Sequence, residues 1–236
     1  MPTPSVTIVI PIHNEAGFLA DAIDRLTAEL AGVDADCDIV LAENGSTDGT
    51  PGIAADLAAR RDDLSMIRLP DPDYGAAMRS GFRTATGEWA VNFDIDYFSG
   101  EFLTKALDMA SEADVVLASK RAEGSDDRRS PFRRMGTLVF NRILRVLFGC
   151  SVSDTHGMKL VRREVITTVL PLVGSTKDLF DTELVIRAER AGYRIAELPV
   201  VVEEQRVARS SYLKRVPRTL LGLMKIRIRM WREPRS

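Results

Sequence analysis

The chain has 236 residues, a mass of 26.1 kDa and 45% hydrophobic residues, an ordinary composition for a folded globular protein that argues against disorder. Its two cysteines, Cys37 and Cys150, lie far apart with no CxxC or Cys/His spacing, which argues against a disulfide framework or a zinc site and for a reducing compartment. The net charge of −2 hides an asymmetry: residues 205–236 hold ten basic residues against Glu233 alone, a net +9 that leaves −11 for residues 1–204. An acidic body with a basic tail points to a polyanionic partner for the tail.

Residues 1–12 carry no basic n-region and read as a strand, so no signal peptide is expected. No apolar run approaches the ~20 residues needed to cross a bilayer. Residues 6–12 are apolar and β-branched, a strand, and residues 15–30 place Phe18, Leu19, Ala22, Ile23 and Leu26 at helical spacing. A second strand over 38–42 runs into the polar turn Glu43-Asn44-Gly45-Ser46-Thr47-Asp48-Gly49. A helix over 51–60 follows, with Pro51 suited to its first turn. Residues 64–69 read as a third strand, 75–85 as a helix and 88–93 as a fourth strand ending at Asp94-Ile95-Asp96; 115–118 continues the pattern. Strands separated by helices of this length imply βαβ units and a largely parallel sheet. In such sheets ligands bind beyond the carboxyl ends of the strands, where each polar cluster falls. The second half is less regular, with a loop over 124–131, a helix over 132–148 and a helix over 178–191 stopped by Gly192.

Asp94 and Asp96 are two carboxylates one residue apart at a strand end. Successive strand side chains face opposite ways, so a turn must begin there for both to reach one ion. Hard divalent cations take oxygen ligands, and Mg²⁺ often uses only one or two carboxylates plus substrate phosphates. The bland reading is a solvated turn. No GxGxxG and no GxxxxGK[ST] is present, so neither a dinucleotide fold nor a P-loop is signalled.

Three strand-end clusters stand instead: Pro11-Ile12-His13-Asn14-Glu15, then 43–49, then Asp94-Ile95-Asp96. Together with Arg79-Ser80-Gly81-Phe82, Ala85-Thr86-Gly87-Glu88, Asp154-Thr155-His156-Gly157-Met158-Lys159, Phe180-Asp181-Thr182-Glu183-Leu184, Ala191-Gly192-Tyr193-Arg194-Ile195 and Glu197-Leu198-Pro199, they make the chain resemble the family 2 inverting glycosyltransferases of the GT-A fold. The likeness runs to about residue 204, and the later motifs look most like the branch that makes polyprenyl-phosphate sugars, such as dolichyl-phosphate mannose synthase. It implies an α/β, Rossmann-like, mostly parallel sheet with helices on both faces. Residues 1–204 would form the transferase domain, with a nucleotide-sugar half over 1–118 and an acceptor half over 119–204. A basic amphipathic tail over 205–236 would follow.

On that resemblance Pro11, Asn14 and Glu15 line the nucleoside pocket and Glu43 sits near the base or ribose. Asp94 and Asp96 bind Mg²⁺ or Mn²⁺ bridging the donor's diphosphate. Read locally, Asn14 and Glu15 equally suit a helix cap, and Ser46 and Asp48 a turn. The family usually has two aspartates where this chain has Glu43-Asn44. The synthase branch often has a glutamine metal ligand where this chain has Phe98, so metal binding here leans more on donor phosphates and water.

Of the basic residues around the 124–131 loop (Lys120, Arg121, Arg128, Arg129, Arg133 and Arg134), Arg121 and one of Arg133 or Arg134 are expected to hold acceptor phosphate or donor diphosphate. Arg128 and Arg129 read as a solvated face. Lys159 has two open roles, an ion pair or a phosphate contact. A sugar hydroxyl acceptor needs a general base, for which Asp181 is the candidate ahead of His13, unless Asp181 caps its helix; His156 reads as a loop residue. A polyprenyl phosphate, with a second pKa of ~6, is already largely dianionic near neutrality and needs no base.

In the tail, Leu220, Leu223, Met224, Ile228 and Trp231 recur on one helical face from Pro217, with Lys225, Arg227, Arg229 and Arg232 elsewhere, a pattern suited to a membrane interface. Leu221, Ile226 and Met230 widen the stripe, and a helix packed on the body or on a second copy is the alternative. No aromatic-and-basic platform accompanies the charge, so nucleic acid is not expected as a partner. The expected protein is a cytoplasmic transferase, peripheral at the inner membrane face. It moves a hexose from a nucleotide sugar, GDP-mannose first and UDP-glucose second, to a polyprenyl phosphate. A GT-A transferase to a hydroxyl and a non-catalytic nucleotide-sugar-binding protein are the alternatives.

Overall fold

The computed structural model describes residues 3–119, 126–127, 131–202 and 212–233. Its first half alternates as expected: β1 (Ser5–Ile12), α1 (Leu19–Leu30), β2 (Asp36–Asn44), α2 (Thr50–Arg60), β3 (Leu64–Leu69), α3 (Tyr74–Thr84) and β4 (Trp89–Asn92). Next come α4 (Gly100–Asp108), β5 (Val115–Ser119) and the two-residue β6 (Asp126–Asp127). The chain continues through α5 (Pro131–Phe148), β7 (Lys159–Arg162), α6 (Arg163–Val169), α7 (Phe180–Arg190), β8 (Ile195–Pro199), β9 (Val201–Val202) and α8 (Tyr212–Arg232). Helix α4 falls outside the expected elements although Ser99 caps it, accepting from the Phe102 amide at 3.0 Å.

Seven strands form one sheet in the order β3-β2-β1-β4-β7-β5-β8, and β7 alone runs antiparallel to its neighbours. Its four residues, Lys159–Arg162, form no apolar run, so pairing with β4 and β5 rather than local pattern makes it a strand. The β-branched run of β1 is buried on both faces, as a central parallel strand requires. Val6, Ile8, Ile10 and Ile12 pack with α1, α2 and α4 on one side. Val9 faces Met78 and Phe82 of α3 and the cluster built from α5, α6, α7 and α8 on the other.

The charge break at residue 205 is not a structural boundary over the described part of the tail. Helix α8 buries Leu223, Ile226 and Met230 in the same core as Phe180 and Leu184. Arg187 of α7 donates to both carboxylate oxygens of Glu233, at 2.8 and 2.7 Å, and latches the helix end. The alternative of a helix packed on the body therefore holds for this face. The stripe expected to lie together is split: Leu223 turns inward, whereas Leu220, Met224, Ile228 and Trp231 stay exposed with Leu221, Trp231 by 73%.

At the sheet's other edge Asp114, before β5, accepts from the backbone and side-chain nitrogens of Arg194 ahead of β8. Those hydrogen bonds hold its carboxyl at about 2, below its ordinary 3.8. A depressed folded value stabilises the fold above the unfolded pKa, and that contribution disappears as pH falls from about 4 toward 2. Acid unfolding followed by circular dichroism should show Asp114→Asn less stable at neutrality and flatter than wild type across that window.

Candidate active site

In the order β3-β2-β1-β4 the chain reverses direction of travel across the sheet between β1 and β4, and such a switch point opens a crevice at the strand ends. A cavity of about 490 Å³ lies there, lined by the end of β1 (Pro11, Ile12) and the segment after it (His13, Glu15), the segment after β4 (Asp94, Ile95, Asp96), Asn44 of β2, and Tyr74 and Lys177.

The acidic triplet closes a tight turn. The Asp94 amide donates to Tyr97 O at 3.2 Å and the Tyr97 amide to Asp94 O at 3.0 Å. The turn sequence reasoning required begins where β4 ends, and both carboxylates line one cavity. Two carboxylates from one turn fit a hard cation that takes its remaining ligands from phosphate and water. Among the described residues no group of three or more His, Cys, Asp or Glu is placed to hold a metal. Phe98 packs toward the core, with the Arg25 guanidinium 5.7 Å from its ring and 5.0 Å from that of Phe18.

The β1 segment is stitched to the turn after β2. Asn14, at φ 55°, donates its amide to Ser46 Oγ at 3.0 Å and accepts from the Thr47 amide at 2.8 Å through Oδ1. The Glu15 amide donates to Thr50 Oγ1 at 2.8 Å. Asp48 accepts from Thr50 and Ala16, and the Thr50 hydroxyl bond holds its carboxyl below the ordinary range. Pro11 and Glu15 thus line the cavity, while Asn14 braces the loop that carries them. Glu43 and Asn44 are the last residues of β2 rather than a turn. Glu43 is fully buried, accepts from the Ser46 amide at 2.7 Å and lies 3.2 Å from Arg68 Nε; Asn44 is the one lining the cavity.

Beneath the site runs a buried polar chain. Lys159 is fully buried, its Nζ donating to Gly157 O at 2.8 Å and Asn92 Oδ1 at 3.1 Å and sitting 3.0 Å from Asp181 Oδ1. The last contact is an ion pair off the hydrogen-bonding angle. Tyr74 donates to Asp181 Oδ2 at 2.8 Å. Of the two roles open to Lys159 the geometry shows the ion pair; its ammonium is spent inside the fold rather than on a phosphate. Asp181 has both oxygens engaged, and Tyr74, not the buried carboxylate, lines the cavity. The helix-cap alternative for Asp181 is not seen, since no side chain caps α7.

The motif Glu197-Leu198-Pro199 has a local task. Glu197 Oε1 accepts from the Ser153 amide and hydroxyl and from the Asp154 amide, holding the 153–159 segment. Arg134 is exposed on α5; Arg121, Lys120, Arg128 and Arg129, and the Arg133 side chain, lie outside the described residues. Burial, followed by the charges of Asp36 and Asp38, pushes the Cys37 thiol up to about 11, and burial with Glu189 pushes Cys150 up to about 12, so neither offers a thiolate at neutrality. Sequence reasoning missed Tyr74 and Lys177; neither carries a pattern, and only the approach of 176–177 to α3 brings them to the cavity.

The family model for glycosyl transferase family 2 matches residues 7–170. The chain belongs to this family. It is 30% identical over 204 residues to glycosyltransferase AglD of Haloferax volcanii, covering 83% of this chain and spanning about a third (32%) of AglD's length. A dolichyl-phosphate hexose transferase of Haloferax volcanii is 29% identical over 85% of this chain and 83% of its own. A polyprenol monophosphomannose synthase of Mycolicibacterium smegmatis is 29% identical over 86% and 79%. Among solved structures, glucosyl-3-phosphoglycerate synthase of Mycobacterium tuberculosis, in complex with Mn²⁺, UDP and phosphoglyceric acid, superposes with a TM-score of 0.69 at 20% identity, over 99% of this chain and 80% of that one. The family 2 chain thus shares the GT-A-like fold, a mostly parallel seven-stranded sheet flanked by helices. No helix among its described residues is long and apolar enough to cross a membrane.

Proposed function

We propose that this family 2 transferase moves a hexose from a nucleotide sugar to a polyprenyl phosphate with inversion, GDP-mannose being the first donor to test and UDP-glucose the second. The carrying observation is that Asp94 and Asp96 line the switch-point cavity while the candidate base, Asp181, is engaged by Lys159 and Tyr74. The relatives whose names specify a dolichyl-phosphate hexose transferase and a polyprenol monophosphomannose synthase support the lipid acceptor.

Pro11, Asn14 and Glu15 would shape the nucleoside end of the cavity, with Glu43 bracing it, and Asp94 and Asp96 would hold Mg²⁺ or Mn²⁺. Such a cation supplies charge neutralisation at the diphosphate without moving a proton. An acceptor phosphate oxygen attacks the anomeric carbon from the face opposite the leaving group. The bond from that carbon to the diphosphate oxygen breaks, and the nucleoside diphosphate departs with the electron pair. No proton need be removed, because the acceptor is already largely dianionic at neutrality. Arg121 and Arg133 or Arg134 would orient that phosphate, since guanidinium keeps its charge and binds phosphate bidentately.

The exposed outer face of α8 suits a membrane surface. Leu220, Leu221, Met224, Ile228 and Trp231 stand clear of the core, with Arg227 and Arg232 along the same helix. Near an anionic leaflet each such cation is worth ~1 kcal/mol. On this reading the transfer takes place at the cytoplasmic membrane surface.

The test is the purified protein with a panel of sugar nucleotides, Mn²⁺ or Mg²⁺, and a short polyprenyl phosphate. A lipid-linked sugar with the anomeric configuration inverted is the expected product. Transfer only to a free sugar hydroxyl would remove the lipid acceptor, and nucleotide-sugar binding without turnover would favour a non-catalytic protein. In the same preparation, Met224→Glu with Trp231→Glu should lose association with anionic liposomes while keeping the fold. Undiminished association would return that face to another use.

A further inference from the structure

A second cavity, of about 590 Å³, runs between residues 174–179, ahead of α7, and the inner edge of α8. Its lining combines four cations, Lys177, Arg218, Lys225 and Arg229, with the apolar Leu179 and Leu221 and, among the described residues, no acidic one. Lys177 also lines the cavity that holds Asp94 and Asp96, so one residue belongs to both spaces. We propose that this groove seats the acceptor, a phosphate monoester carried on an apolar isoprenoid chain, with Lys177 meeting the phosphate where groove and active site join. The assignment rests on the polyprenyl-phosphate reading and adds a seat apart from the arginines near 121–134.

The wall between the two cavities is built to hold one shape. Lys177 takes φ 51°, a left-handed conformation unfavourable for a side chain with a Cβ, which persists only where the surroundings over-determine it. Here they do. The Lys177 amide donates to Asp73 Oδ1 at 3.1 Å, and Asp73 also caps α3 by accepting from the Ala76 amide. A Cβ on Gly75 would stand 2.7 Å from Thr176 Cα, so only glycine lets the segment lie this close to α3. Glu183 of α7 accepts from the Gly174 and Ser175 amides at 3.1 and 2.6 Å, and Arg79 donates to Ser175 O at 3.0 Å.

The same carboxylate ties the wall to α8, with Arg229 Nη1 3.5 Å from Glu183 Oε2. Gly222 lets α8 approach, since a Cβ there would meet Leu179 Cδ1 at 2.2 Å. Lys177 and Lys225 make no ion pair with any described residue, so their charge is available to an anion in the groove. Leu221 lines the groove yet is 64% exposed, continuous along α8 with Met224 and Ile228. An isoprenoid chain can therefore lie along α8's apolar outer face while its phosphate enters among the lysines, which an inorganic anion has no use for.

The experiment uses the full chain and a diazirine-bearing farnesyl phosphate as photoprobe, with adducts mapped by peptide and steady-state kinetics alongside. Adducts should fall in 174–179 and 217–229. Farnesyl phosphate should protect, and inorganic phosphate or farnesol at equal concentration should not. Lys225→Glu, on the helix surface, should raise the KM for farnesyl phosphate at least tenfold with the KM for the nucleotide sugar unchanged; Lys177→Ala should raise the acceptor KM and lower kcat. Turnover with adducts elsewhere, or an unchanged acceptor KM in both variants, overturns the groove and leaves the lipid acceptor standing. Adducts in the groove without turnover keep the groove and overturn the transfer reading instead. Equal protection by inorganic phosphate overturns the isoprenoid assignment, and equal protection by farnesol overturns the role of the phosphate.

Discussion

Asp96→Ala is expected to cut cation-dependent sugar transfer by about two to three orders of magnitude, the rate equivalent of ~3–4 kcal/mol of transition-state stabilisation. The size follows from how few ligands the protein offers. Two carboxylates on the turn closed by Asp94 and Tyr97 line the cavity, and Phe98, beneath Arg25, supplies no third oxygen. If these two carboxylates are the protein's cation ligands, losing one would leave a developing diphosphate charge poorly balanced at the moment of bond cleavage. Initial rates across a Mn²⁺ titration, with Asp96→Asn as an isosteric companion, measure the effect. Both variants should need far more cation for residual turnover while retaining native circular dichroism. Activity equal to wild type would mean that the turn is not the cation's seat.

Lys159→Met should lower unfolding stability by about 3–5 kcal/mol, because it leaves a buried carboxylate without its charge partner. The side chain of Asp181 would keep only the Tyr74 hydroxyl, and Asn92 Oδ1 and Gly157 O would each lose a donor. Since Lys159 begins β7, Asp181 lies in the first turn of α7 and Asn92 ends β4, the loss falls where the antiparallel strand is held to α7 and to β4. Pairing Lys159→Met with Asp181→Leu should recover part of the loss, as apolar replacement of a whole buried pair often does. Urea unfolding of the two variants measures both; a single-variant loss below ~1 kcal/mol would show the pair to be solvated and dispensable.

Much of residues 1–118 is legible because its signals are local. Strand β3 runs over the expected residues 64–69, and the apolar runs behind β1, β2 and β4 need no partner to be recognised. Boundaries moved where tertiary bonds intervened. Helix α1 starts at Leu19 rather than residue 15 because Asn14 is pulled to positive φ by its ties to Ser46 and Thr47, leaving residues 15–18 as a turn on Glu15 O. Strand β7 was illegible for the opposite reason: four residues beginning with a lysine become a strand only between β4 and β5. In the candidate site the acidic turn could be read from its carboxylates. Tyr74 and Lys177 could not, since 103 residues separate them and only the packing of 176–177 on Gly75 joins them.

The sequence by itself determined the βαβ alternation, the family, the acidic turn at a strand end and the basic charge of the tail, because periodicity, motif order and charge need no partner. The tertiary structure decided what each ambiguous side chain faces. It committed Lys159 to Asp181 and turned Leu223, Ile226 and Met230 of α8 into the core, leaving Leu220, Met224, Ile228 and Trp231 outside. A helix apolar on two sides has two possible contacts, and a buried lysine has as many possible roles as there are acids within reach. Only the packing of distant segments, here α7 against α3, β7 and α8, selects among them.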